Sequence, residues 1–163
     1  MTVINNLPAH VLFVHFMVVL APLTAALEIV CAVWPAARRG HLVWFTLILA
    51  IVTTVLTPIT THAGEWLYHL RRNPDPLLRE HAARGDMMIY FSVALLVVAV
   101  ALVALHIAER RRAGRRIVAT VVVAVLAVVV GVSSVVQVYR IGDSGAHSVW
   151  GNEIAHLKAA QHG

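Results

Sequence analysis

Four stretches of this chain, over about 11–34, 42–62, 87–108 and 117–138, are apolar almost without interruption. As a helix rising about 1.5 Å per residue, each can cross a hydrocarbon layer of about 30 Å. A backbone in lipid must satisfy its own polar groups, so helices are predicted. Strands of this length would need turn signals inside the runs, and there are none. Pro35 ends the first stretch, ahead of the short loop 36–41, while Pro22 and Pro58 fall inside the first and second stretches. A polar connection over 63–86 is broken by Asn73-Pro74-Asp75-Pro76. The loop 109–116 precedes the fourth stretch. A polar, Gly-containing tail over 139–163 follows it, with a short amphipathic helix predicted near 152–160. The expectation is a single all-α domain over 1–163, an integral membrane four-helix bundle of up-down-up-down topology.

Composition agrees. The chain is 60% hydrophobic and 13% charged, with a mean hydropathy of +0.79, more apolar than a soluble core of this size needs. A net charge of +5 and a pI near 10.4 raise nucleic acid as a partner. The arginines argue against it, because Arg38, Arg39, Arg110, Arg111, Arg112, Arg115 and Arg116 cluster in the two short loops. That is a topology signal. Arg71, Arg72, Arg79, Arg84, Arg140 and Lys158 are diluted over the longer segments and mixed with acids. The short loops are therefore expected in the cytoplasm, with both termini and the 63–86 connection outside. The lipid bilayer is the expected partner and nucleic acid is not. No Lys or Arg precedes the first apolar run, so a cleaved signal peptide is not expected. Cys31 lies in an apolar run and reads as a buried small hydrophobe.

The histidines carry the candidate chemistry. Of ten, only His41 and His106 fall at the arginine-rich end; His10, His15, His62, His69, His81, His147, His156 and His162 fall on the other side. His15, between Val14 and Phe16, lies inside an apolar run, where an ionisable residue is costly and suggests function. His62 ends the second stretch at a similar depth. Two imidazoles from neighbouring helices could be the axial ligands of a haem b, with His81 or His147 as substitutes. The same residues could instead hold a divalent metal, the candidate set being His10, His15, His62, Glu65 and His69. His62, Glu65 and His69 stand at i, i+3 and i+7, on one face if the second helix continues. Glu65 could also orient His62. Imidazoles that only bond a neighbouring helix would equally explain the pattern. Thr46, Thr53, Thr57, Thr60 and Thr61 form a stripe expected to join helices. Glu28 is the one acid inside the first stretch, expected to be protonated or to pair with the hydroxyl of Thr24 one turn before it, and a proton relay through it has no visible continuation. No nucleophile elbow, phosphate loop or dinucleotide fingerprint is present, so the chain is not expected to be an enzyme.

The opening Leu7-Pro8-Ala9-His10 with Val14-His15-Phe16 resembles the start of a bacterial membrane family known as domain of unknown function 2231. So does the end, in Val138-Tyr139-Arg140-Ile141-Gly142, Ser144-Gly145-Ala146 and Val149-Trp150-Gly151. Met17 stands where that family often has proline. The resemblance implies a four-helix protein of the bacterial inner membrane and singles out His10, His15, Arg140, Gly142, Ser144 and Gly145. Gly142 and Gly145 would allow a tight turn, and Arg140 would anchor at headgroups or clamp a haem propionate. Similar modules keep company with redox proteins, which points to electron transfer. Three functions stay open on the sequence. One is a haem-binding redox subunit, associated with other membrane redox subunits or with a second copy. Another is a metal-binding or transport protein. The last is a cofactor-free structural or assembly subunit.

Overall fold

The computed structural model describes residues 3–4, 7–70, 73, 75–111 and 117–161, with side chains over 9–70, 73, 75–111, 117–151 and 160. Arg71, Arg72, Pro74, Arg112, Arg115, Arg116 and His162, and the side chains of His156 and Lys158, lie outside this description. Two short paired strands, β1 (Val3–Ile4) and β2 (Leu7–Pro8), precede the helices. The helices are α1 (Ala9–Val33), α2 (Pro35–Arg39), α3 (Leu42–His69), α4 (Pro76–Asp86), α5 (Met88–Arg111) and α6 (Ile117–Gln161). Four helical segments are long and apolar enough to cross a membrane: α1, α3, α4 with α5, and α6 to Gly151.

The bundle closes as a square. α1 and α5 stand on one diagonal, and each packs against both α3 and α6. α4 extends the line of α5 and lies against α6. One end, here the terminal end, holds the start of α1, the end of α3, α4 and the distal part of α6. The other, the arginine end, holds the short loops. An apolar core built on Cys31, Val43, Leu102 and Ala127 fills the bundle towards the arginine end. A smaller one on Met17, Ala21 and Met88 fills it towards the terminal end. Large apolar side chains such as Val19, Ile48, Val97 and Val125 face outward at mid-height. A water-facing surface would not carry so continuous an apolar girdle, whereas acyl chains solvate it. Exposed Trp34 and Trp44 stand near the arginine end, and exposed Tyr90 and Tyr139 nearer the other. Aromatic residues take these levels at membrane interfaces.

Two sequence expectations are corrected here. The 63–86 connection is mostly helical: α3 runs on to His69 and α4 covers Pro76–Asp86. The 139–163 tail is not a separate segment with its own short helix. Up to Gln161 it continues α6, through Gly142 and Gly145, so neither glycine makes a turn. The reason is a partner for the exposed part of α6. Gln137 Nε2 donates to Arg84 O at 2.8 Å, Arg84 Nη1 donates to Arg140 O at 3.1 Å, and His81 Nδ1 donates to Ile141 O at 3.0 Å. These bonds tie α4 along α6 and extend its packed length.

At the arginine end, Arg38 is buried rather than displayed, at 1% exposure. Its Nη1 donates to Cys31 O at 2.9 Å and Ala32 O at 3.1 Å, carbonyls of the last turn of α1. Its Nη2 meets Glu109 Oε1 of α5 at 2.7 Å. The guanidinium thus supplies the donors that the end of α1 lacks and joins α1 to α5.

Candidate functional site

At the terminal end, His10 of α1 and His81 of α4 approach each other across the bundle. Their ring centroids are 6.4 Å apart and the planes cross at 81°. Each ring is held by the same device. His10 Nδ1 donates to Thr60 O of α3 at 2.9 Å, and His81 Nδ1 to Ile141 O of α6. A carbonyl can only accept, so Nδ1 carries a hydrogen in each ring. One turn beyond each carbonyl stands a glycine. A Cβ at Gly64 would lie 2.8 Å from His10 Cε1, and one at Gly145 would lie 3.0 Å from His81 Cε1. Glycine inside a helix costs about 0.5–1 kcal/mol relative to alanine, and here it makes room for a ring.

The two half-sites are therefore equivalent. In each, a histidine from the first helix of a hairpin rests on the second helix, with the carbonyl at one position and glycine four residues later. Ser144 adds one asymmetry, being buried with Oγ 3.4 Å from His81 Nδ1. The apolar cluster of Met17, Ala21 and Met88 belongs to the same end. A cavity of about 1040 Å³ surrounds the pair and reaches into the α1–α6 and α3–α4 clefts. His10, His81, Gly64, Gly145, Thr57, Thr60 and Trp150 are among its walls.

The other candidate ligands fall elsewhere. His15 lines the cavity, but its Nδ1 bonds Val11 O of its own helix at 2.5 Å and its side chain is exposed. The ring of His62 is 88% exposed and lies outside the cavity lining, with Nδ1 3.4 Å from Glu65 Oε2. The fold thus does not pair His15 with His62. His69 and Glu65 are exposed on the rim, His69 against the Tyr68 ring. Exposed His147 bonds Asp143 O of its own helix at 2.9 Å, and Arg140, also exposed, serves through its carbonyl. Among the described residues no three His, Cys, Asp or Glu side chains gather to hold a metal, so the five-residue metal set is not assembled. Sequence reasoning missed Gly64, Arg84 and Gln137, and named His10 and His81 without joining them. The available signal was a histidine at the head of two helices, each with a glycine on the following long helix.

An all-helical bundle with four membrane-length apolar segments and a polar site at one end defines a multi-pass membrane protein. A family model described as "Predicted membrane protein (DUF2231)" matches residues 6–158, and the chain belongs to that family. No curated protein and no solved structure matches it.

Proposed function

We propose that this is a haem b-binding membrane protein of the electron-transfer class, with His10 and His81 as the axial ligands. The observation that carries the reading is the opposed imidazole pair. The ring centroids lie 6.4 Å apart, and His10 and His81 would hold a haem iron between imidazoles at a separation of about 6 Å. Both rings are oriented by a carbonyl bond from Nδ1, the usual support for a metal-bound histidine, and ligation would use Nε2 in its deprotonated form. Only two side chains converge. A bare divalent ion takes four or more donors, whereas a porphyrin brings four of its own, so the donor set fits haem better. The cavity is of ligand size and is lined from α1, α3, α4 and α6 together.

Haem would supply reversible one-electron exchange. The chain's residues would fix the ligand rings and keep bulk water from the face turned towards Met17 and Met88. The arginine clusters favour a bacterial inner-membrane orientation with the site and both termini outside the cytoplasm. Exchange would then occur near the outer interface, with another membrane redox subunit or a second copy as partner. The test is the absorption spectrum of the purified protein with His10→Ala and His81→Ala. Loss of a Soret band in both variants supports the reading, and a colourless wild-type protein loaded with haem in vitro to no effect overturns it.

A further inference from the structure

Glu28 of α1 is wholly buried, and neither carboxyl oxygen has a hydrogen-bond partner. It lies six residues from Trp34, about 9 Å along the helix from that interface. A bare carboxylate in such a medium costs several kcal/mol. Among the described residues, the titratable or charged groups on α1 and the elements around it at this end are Cys31, Arg38, Arg39, His41, His106, Glu109, Arg110 and Arg111. None bonds Glu28, and the guanidinium of Arg38 is engaged by Cys31 O, Ala32 O and Glu109. α6 has no titratable residue between Ile117 and Val138, and α3 offers threonines at these depths. Among the described residues nothing supplies a bonded countercharge.

A route of oxygens leads to it. Thr57 and Thr60 line the cavity and are buried. Thr53 stands one turn below Thr57, and its Oγ1 lies 3.4 Å from Thr24 Oγ1. Glu28 is one turn beyond Thr24. The hydroxyls of Thr24, Thr57 and Thr60 donate to carbonyls of their own helices at 2.7–2.8 Å. Their remaining lone pairs make an acceptor-lined column, suited to a positive species. We propose that Glu28 is a membrane-embedded binding site for a monovalent cation, a proton or sodium, reached from the cavity along this column. The site does not depend on haem.

The experiment follows the thermal midpoint of the full chain in nanodiscs from about pH 6 to 9, in sodium or choline salts, for wild type and Glu28→Gln. The neutral amide of the variant needs no cation, so its curve is the reference. Relative to it, the wild-type midpoint should fall by about 3–6 °C for each tenfold loss of cation while the folded site stays occupied and the unfolded carboxyl does not, and level off once the folded site empties. A proton site responds to pH alone; a sodium site is restored by sodium and not by choline. A hydrophobic carbodiimide gives a second readout on wild type, in case the variant fails to fold. It should add to the Glu28 carboxyl, and high pH or sodium should suppress the adduct. Parallel curves at every pH and salt, or an adduct that responds to neither, overturn the proposal. The same response in preparations with and without a Soret band separates it from the haem reading.

Discussion

His10 and His62 show what decides a site residue. Both are histidines at the terminal end, yet only His10 turns inward. Successive helix positions rotate by about 100°, so His62 points away from the face on which Thr60 and Gly64 receive His10. Depth is legible from position in an apolar run, but azimuth is not, because nothing in the sequence says which face of α3 meets α1. The glycines offer a sharper contrast. A Cβ at Gly142 meets nothing within 4 Å, so Gly142→Ala should raise stability by about 0.5–1 kcal/mol, measured by thermal or denaturant unfolding. Gly145→Ala and Gly64→Ala drive a methyl against an imidazole and should cost about 1–3 kcal/mol. Equal behaviour at Gly142 and Gly145 would contradict the cradle.

At the scale of elements, the four apolar helices were legible because lipid demands length and low charge, both of which can be counted. α3 starts at Leu42, and most of the 36–41 segment read as a loop is the short helix α2. The extension of α6 was not legible. Its distal part is polar and carries Gly142, Gly145 and Gly151, a composition that reads as loop, and only α4 beside it explains its persistence. The buried Arg38 escaped for a related reason: a charge beside a proline in a short loop reads as a surface cation. Here it closes α1 and pairs with Glu109, which is itself only 12% exposed. Arg38→Ala leaves that carboxylate and two helix-end carbonyls without donors. The loss should be about 3–5 kcal/mol, seen as a lowered unfolding midpoint. Arg39, 65% exposed and 3.9 Å from Glu109, should contribute far less.

The whole molecule joins two hairpins whose terminal ends present matching halves of one site. That equivalence is a property of the fold: the spacing from His10 to Gly64 differs from that between His81 and Gly145, and no repeat is visible along the chain. The arginine loops predict that a reporter fused after Gly163 is active only outside the cytoplasm, and a cytosolic signal would reverse the sidedness. The most direct test of the account is the optical spectrum of the purified chain beside four variants. Wild type, His62→Ala and His147→Ala should show a Soret band with sharpened α and β bands on reduction, while His10→Ala and His81→Ala lose it. A haem spectrum that survives removal of His10 or His81, or disappears with His62, would contradict the pairing.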